Sequence, residues 1–169
     1  KRKQNNNAYL ITFDKLKQTN PHIEFSSDFI IGYPGEDEQD FKDTINLIKK
    51  VNFINSYSFI FSPRPGTAAE NLALIDKKIS MKRLEKIQSL LYENQIRANK
   101  SIENQTIDVL VENLTDDKTR AFGRSEYMTP VIFDGKEENI GKIVQVKIKK
   151  SNRNTLFGEL INVSNKKVA

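Results

Sequence analysis

Cysteine is absent from the 169 residues of this chain, and histidine occurs once, as His22. Without thiols the chain forms no disulfide bond and holds no thiolate-ligated zinc or iron–sulfur centre. His22 follows Asn20-Pro21 in a polar stretch and has no second histidine to share a metal with, so we interpret it as structural or incidental. The sequence therefore predicts no metal site made from this chain's own residues.

Long apolar segments are also missing, and the mean hydropathy is −0.57. A membrane-spanning helix needs about 20 consecutive apolar residues, and no such run occurs. The basic residues 1–7 lead into no apolar segment of the kind found in secretory signals. We therefore expect a cytoplasmic protein.

Positive charge exceeds negative charge, with 27 Lys and Arg against 22 Asp and Glu and a net charge of +5. Part of the excess lies in a stretch without acidic residues that contains Lys142, Lys147, Lys149, Lys150 and Arg153. Such a stretch permits a polyanionic partner, and we expect these side chains to contact phosphates. The alternative is a solvated surface, which is the commoner use of a charge run.

An apolar stretch followed by a glycine turn is the first candidate site. Residues 24–32 predict a buried strand, and Gly32-Tyr33-Pro34-Gly35-Glu36 predicts a tight turn before a helix over 38–51 with Asp37 as N-cap. Ligands commonly lie where a parallel strand ends and a helix begins. We therefore expect the turn and Asp28, within the strand, to border a ligand. The alternatives are an ordinary connection and an Asp28 that pairs locally.

A second strand with a similar ending follows. Residues 56–62 predict the strand, and Pro63-Arg64-Pro65-Gly66-Thr67 forms its loop. The two prolines hold Arg64 on a stiff segment, which suits contact with an anion, although an exposed arginine on a turn is the alternative. Two such loops at neighbouring strand ends indicate a single site.

Two further helices are predicted in this half of the chain. One covers 7–18 and ends at Asn20-Pro21. The other begins with Ser80 as N-cap and continues to about Glu103. Its charged side chains indicate a solvated surface, and its predicted buried stripe consists of Leu84, Ile87, Leu91, Ile96 and Ile102.

The pattern changes to period two from Thr106 onward, where Ile107, Val109 and Val111 alternate with polar residues. Four more short strands are predicted, over 119–124, 128–134, 142–149 and 155–162. Five short strands without a helix predict a small closed barrel of the OB-like kind. We therefore divide the chain into an α/β part, residues 1–103, and an all-β part, residues 104–169.

The segments SSDFIIGYPGEDEQDF and SYSFIFSPRPGTAA closely resemble the radical S-adenosylmethionine methylthiotransferases. The second half is similar to a TRAM domain, a small RNA-binding β-barrel, through four short matches: Gly123-Arg124-Ser125-Glu126, Phe133-Asp134-Gly135, Ile140-Gly141-Lys142 and Asn154 to Glu159. Two basic residues usual in that pattern are missing, because Tyr127-Met128-Thr129 and Phe157 stand in their places.

The resemblance implies the C-terminal part of a partial (β/α) TIM-like barrel joined to the TRAM barrel. It also implies contacts to S-adenosylmethionine from five residues of the first stretch: Asp28, Gly32, Pro34, Gly35 and Glu36. Substrate contacts would come from Arg64, Arg124, Lys142, Lys147, Lys149 and Arg153. Phe122, Tyr127 and Phe157 are the aromatic candidates for base stacking.

The activity implied by the resemblance is insertion of a methylthio group at C2 of N6-isopentenyladenosine in the tRNA anticodon loop, by radical chemistry on S-adenosylmethionine. Arg64-Pro65 favours a tRNA substrate, since members acting on a ribosomal protein carry acidic residues there. Two [4Fe–4S] clusters, a sulfur donor and an electron donor are implied for an intact, monomeric enzyme. The alternatives are action on threonylcarbamoyl-adenosine in tRNA, and a non-catalytic RNA-binding module.

We expect the 169-residue chain to bind no iron–sulfur cluster and to cleave no S-adenosylmethionine, because the cluster cysteines would lie upstream of residue 1. Anaerobic reconstitution with iron and sulfide, followed by iron analysis and absorption spectroscopy, tests this expectation. A brown product with stoichiometric iron would contradict it.

Overall fold

The computed structural model describes residues 6–163. It separates into two compact units, one up to Asn94 and the other from Gln95 onward. The division falls inside a helix, so the domain boundary expected between residues 103 and 104 stays a prediction.

The first unit contains three helices and two short strands. They are α1 (Asn6–Thr19), β1 (Asp28–Ile31), α2 (Glu38–Val51), β2 (Tyr57–Ile60) and α3 (Lys77–Ser101), whose last residues belong to the second unit. Strands β1 and β2 pair in parallel, with Asp28 opposite Tyr57 and Ile31 opposite Ile60. Both strands are shorter than predicted, whereas α1 and α2 agree with the predicted bounds within one residue at each end.

Helix α2 begins where its sequence predicts. The Asp37 carboxylate accepts a hydrogen bond from the Asp40 N–H (2.8 Å), and the Asp40 carboxylate accepts one from the Asp37 N–H (3.1 Å). This reciprocal pair satisfies two backbone donors that a helix start otherwise leaves without partners. Asn52 ends the helix with a positive φ of 58°.

Helix α3 begins earlier than predicted, and Ser80 is not its N-cap. The Asp76 carboxylate accepts hydrogen bonds from the N–H groups of Lys78 (2.8 Å) and Ile79 (3.2 Å), so it performs the capping. Ser80 lies inside the helix and is buried.

The buried stripe of α3 also differs from the predicted one. Ile96 is 47% exposed, whereas the buried positions of the helix within the first unit are Ser80, Arg83, Ile87, Leu91 and Asn94. These positions recur at three- and four-residue spacing, as one face of a helix requires. Three of them are polar, so a pattern of apolar residues alone does not indicate them.

The core of the first unit lies on one face of the β1–β2 sheet. Phe29 and Ile31 of β1 pack there against side chains of α2, α3 and the α2–β2 connection. The buried side chains from those elements are Phe41, Ile48, Val51, Phe53, Ile87 and Leu91. The opposite face of the sheet is open within the described residues.

The second unit is a closed barrel of five strands, as predicted. The strands are β3 (Thr106–Leu114), β4 (Ala121–Ser125), β5 (Pro130–Phe133), β6 (Ile143–Ser151) and β7 (Leu156–Val163). They follow the order β3-β4-β5-β7-β6, and β6 pairs with β3 to close the barrel. Only the β5–β7 pair is parallel. The period-two pattern holds, since the inward residues form one buried cluster that includes Val109, Val111, Val144 and Val146.

Gly158 allows β7 to approach β6 closely. A Cβ at this position would lie 2.5 Å from the Lys147 carbonyl oxygen and 2.6 Å from a methyl group of Val146. These atoms belong to the barrel wall and inner cluster, which have little room to shift.

We expect Gly158→Ala to lower the free energy of unfolding of the chain by about 1–3 kcal/mol, the range for overpacking. Urea denaturation measures the change. Ile161→Ala, at a position of the same strand that is 49% exposed, is the matched control and should change stability by less than about 0.5 kcal/mol. Equal stability of the two variants would contradict the prediction and would show that β6 and β7 move apart to accommodate the added methyl group.

Candidate ligand-binding loops and nucleic-acid interface

The open face of the β1–β2 sheet carries one carboxylate among apolar side chains. Asp28 and Ile30 of β1 lie opposite Tyr57 and Phe59 of β2. Ile30, Tyr57 and Phe59 are 59%, 66% and 54% exposed. Asp28 is also exposed, so it needs no buried partner, contrary to the expectation of a mostly buried strand. The face offers an amphiphilic ligand an apolar surface with one negative charge.

The first loop, Gly32 to Glu36, is a turn closed by its own last side chain. The Glu36 N–H donates to the Tyr33 carbonyl (2.9 Å), and the Gly32 N–H donates to the Glu36 carboxylate (3.0 Å). Gly32 and Gly35 both have positive φ angles, 74° and 88°, which favour glycine. Pro34 is half-buried between them.

Arg83 of helix α3 holds Glu36 from the other side. Its Nη1 atom lies 2.7 Å from a carboxylate oxygen of Glu36 and donates to the Glu36 carbonyl at 3.1 Å. Its Nη2 atom reaches the Glu38 carboxylate at 3.2 Å. Both carboxylate oxygens of Glu36 therefore have partners within the protein.

The two glycines of the first loop are required for different reasons. A Cβ at Gly32 would lie 2.6 Å from the Ser80 hydroxyl, so Gly32 is needed for packing against α3. A Cβ at Gly35 would meet no atom of the described residues within 4 Å. Gly35 is thus the glycine that faces open space.

The second loop, Pro63 to Thr67, contains the same kind of glycine-to-carboxylate hydrogen bond as the first. The Gly66 N–H donates to the carboxylate of Glu70, four residues on, at 2.8 Å. The Arg64 carbonyl accepts the Thr67 hydroxyl at 2.7 Å, while the Arg64 side chain is exposed.

The two loops lie next to each other, as predicted. The Phe61 N–H donates to the Ile31 carbonyl (2.8 Å), and the rings of Tyr33 and Phe61 meet edge to face with centroids 5.0 Å apart. Sequence reasoning missed Glu70 and Arg83. The detectable signals were the repeated spacing of glycine and glutamate, and the position of Arg83 four residues before the buried Ile87.

On the barrel, Arg124 is already engaged by protein groups. Its Nε lies 3.2 Å from the Glu112 carboxylate, its Nη1 donates to the Met128 carbonyl at 3.1 Å, and its guanidinium lies 5.9 Å from the centre of the Phe122 ring. A phosphate contact would compete with the ion pair to Glu112.

The basic residues form a line along β6, and an acidic side chain from the neighbouring strand β7 lies close to it. Lys149 lies 2.9 Å from the carboxylate of Glu159, which is also opposite Lys147 in the β6–β7 register. Lys142 directly precedes β6 and Arg153 follows it, and β6 itself is roughly 30 Å long at about 3.3 Å per residue. Arg153 donates from Nε to the Asn154 side chain at 3.0 Å. Within the described residues, no carboxylate lies within 4 Å of Lys142 or Lys147.

The outer surface of the barrel also has an apolar row that contains two aromatic rings. Phe122 is opposite Ile132, Ile132 is opposite Phe157, and Phe157 is opposite Lys150. All three apolar side chains are half-buried. Tyr127 lies in the β4–β5 turn, outside this row.

Along residues 6–163, no group of three or more His, Asp or Glu side chains is placed to hold a metal ion. In the same part of the chain, no helix has the length and apolar character needed to cross a membrane.

Residues 100–161 match the family model of the TRAM domain. The chain is 64% identical over 168 residues to tRNA-2-methylthio-N(6)-dimethylallyladenosine synthase of Pelagibacter ubique. This alignment covers 99% of this chain and 38% of that protein. Proteins of the same name from Ruthia magnifica and Wolbachia pipientis wMel are 43% and 38% identical over 148 and 160 residues. Those alignments cover 87% and 93% of this chain, and 33% and 36% of the two proteins.

The chain thus spans between 33% and 38% of the length of these relatives. The similarity includes both glycine loops and the barrel, because the first alignment covers 99% of the chain. The resemblance to the methylthiotransferases and the TRAM-like barrel predicted from the motifs are both confirmed.

Proposed function

We propose, from the membership of this chain in the family of tRNA-2-methylthio-N(6)-dimethylallyladenosine synthases, that it is one part of a tRNA methylthiotransferase. The complete enzyme would act in the cytoplasm and insert a methylthio group at C2 of N6-isopentenyladenosine in the tRNA anticodon loop. The observation that carries the proposal is 64% identity over 99% of the chain.

The open sheet face and the first loop would border S-adenosylmethionine. This cofactor combines a sulfonium, an ammonium group and an adenine ring. A carboxylate such as that of Asp28 suits the ammonium group, and the exposed rings of Tyr57 and Phe59 suit both a cation and a nucleobase. Gly35 would allow the backbone to approach the ligand closely, since its Cβ position is open.

The residues of this chain do not fit a [4Fe–4S] cluster, because soft thiolate ligands are required and none is present. In the proposed enzyme the two clusters are held by residues outside these 169. The cofactors supply the radical chemistry when bound, and the side chains described here would position S-adenosylmethionine and the substrate.

In the complete enzyme we expect Gly35→Val to lower the rate of S-adenosylmethionine cleavage at least about ten-fold, because a β-branched residue is strained at φ 88°. Production of 5′-deoxyadenosine measures the rate. Gly35→Asn is the matched control and should retain more activity, since asparagine tolerates positive φ.

The tRNA affinity of the Gly35→Val enzyme should stay unchanged, because the TRAM barrel is a separate compact unit. Full cleavage activity in Gly35→Val would show that the loop is an ordinary connection between β1 and α2.

The barrel would bind tRNA mainly through phosphate contacts along β6. Lysine side chains are point charges suited to phosphate neutralisation, and Lys142 and Lys147 have no ion pair within 4 Å among the described residues. Phe122 and Phe157 in the outer row would add sequence-tolerant stacking with unpaired bases.

We expect Arg124→Ala with Lys147→Ala to lower the log–log salt slope of tRNA binding by about 0.7–0.9 per lost contact. Titrations of the 169-residue chain with tRNA at several salt concentrations measure the slope. The control removes the same charge from exposed positions of the first unit, Lys15→Ala with Lys42→Ala, and should leave the slope unchanged. An unchanged slope in the first pair would assign these side chains to surface solvation.

The modified base that disappears on deletion of the gene separates the proposed enzyme from its alternatives. Loss of the methylthio derivative of isopentenyladenosine from tRNA supports the proposal. Loss of the threonylcarbamoyl counterpart would reassign the substrate, and an unchanged nucleoside profile would favour a non-catalytic RNA-binding module.

A further inference from the structure

We infer that Arg83 is a positioning residue for the loop from Gly32 to Glu36, which it fixes from helix α3 so that Gly35 and Tyr33 present a defined surface to the ligand. The inference rests on the proposed function only for the identity of that ligand. The contacts of Arg83 themselves come from the geometry of the first unit.

Glu36 connects the two ends of the loop to helix α3. One carboxylate oxygen accepts the Gly32 N–H at 3.0 Å, and the other lies 2.7 Å from Nη1 of Arg83. The same Nη1 donates to the Glu36 carbonyl at 3.1 Å. Arg83 thus holds both the side chain and the backbone of the residue that closes the turn.

The surroundings of Arg83 favour a positioning role over a stabilising one. Its side chain is 9% exposed, and its guanidinium lies 5.2 Å from the centre of the Phe41 ring. Its Nε is buried and has no hydrogen-bond partner in the described part of the chain. A buried ion pair with an unsatisfied donor is costly, and an apolar residue could fill the same space. What an apolar residue could not do is orient Glu36.

The second loop provides an internal comparison. Gly66 and Glu70 make the same backbone-to-carboxylate bond at 2.8 Å, but the described residues place no arginine on Glu70. The two loops therefore share the local closure, and only the first is additionally fixed to a helix. Tyr33 of the first loop is 48% exposed and contacts Phe61, which lies just before the second loop.

The experiment compares Arg83→Met with Lys82→Met, the same change at an exposed neighbouring position of α3. In the complete enzyme we expect Arg83→Met to raise KM for S-adenosylmethionine at least about ten-fold, because small displacements of positioning groups have effects of this size. The KM for tRNA should be unchanged, and Lys82→Met should behave as the parent enzyme. A general loss of stability would not raise KM for S-adenosylmethionine while leaving KM for tRNA unchanged.

A second measurement does not depend on activity. Hydrogen exchange of the Gly32 amide in the 169-residue chain should be at least about ten-fold faster in Arg83→Met, while the amide of Ile48 in the core of α2 exchanges as before. Uniform acceleration across the first unit would overturn the inference and assign Arg83 to general stability.

Arg83→Lys tests the inference if Arg83→Met does not fold. Lysine keeps one charge near Glu36 but cannot contact Glu36 and Glu38 with a planar fork, so a higher KM for S-adenosylmethionine and faster exchange of the Gly32 amide than in the parent are expected. Values of Arg83→Lys equal to those of the parent would overturn the inference. If the parent enzyme cleaves no S-adenosylmethionine, the proposed function fails, and the exchange rate of Gly32 alone decides the role of Arg83.

Discussion

The parallel pairing of β1 with β2 is the constraint on which the first unit depends. Because the strands run in the same direction, both carboxyl ends lie at one edge, and the two glycine loops become neighbours through the strand pairing itself. The crossover helix α2 makes this pairing possible and packs onto the same sheet face as α3. The hydrogen bond from Phe61 to the Ile31 carbonyl continues the pairing into the loops, so the strand register also sets the contact between Tyr33 and Phe61.

The composition of the two strands explains why one face remains open. Strands buried on both faces read as nearly continuous apolar runs, and apart from Asp28 and Ser58 β1 and β2 have this character. In the described residues only the face with Phe29 and Ile31 is covered, so Ile30, Tyr57 and Phe59 are left in solvent. In the proposed enzyme this face would be part of a larger cavity, and its apolar character would be stabilising there. The same residues expose apolar area in the isolated unit, which is unfavourable.

Local signals predicted most of the fold. The N-cap at Asp37, the period-two strands and the turn after β1 depend on residues close in sequence, and each was found where expected. The start of α3 was missed because two capping candidates, Asp76 and Ser80, stand four residues apart and the helix uses the first. Propensity alone does not distinguish them.

The candidate site was less predictable, because its decisive contacts join distant residues. Arg83 meets Glu36 across 47 positions, and it was interpreted as solvated because charged residues are rarely buried. Glu159 meets Lys149 across a strand pair, so a stretch without acid in the sequence acquires an acid in the fold. The turn from Gly32 to Glu36 was predicted from the sequence, but only the structure shows that a Cβ at Gly32 would meet Ser80 and that a Cβ at Gly35 would meet no described atom within 4 Å.

The two candidate sites use charge in physically different ways. The Arg83–Glu36 pair is largely removed from water, where salt screens little, and it serves to fix a geometry. The lysines along β6 are exposed or half-buried, and at about 0.15 M salt the screening length of about 8 Å is much shorter than their line. In the proposed function, lysines at opposite ends of the line would therefore act independently on nearby phosphates, and the barrel surface would accept differently shaped RNA segments. The first loop would then be sensitive to small changes in geometry, whereas RNA binding by the barrel would be sensitive to ionic strength and would tolerate small displacements of the lysines.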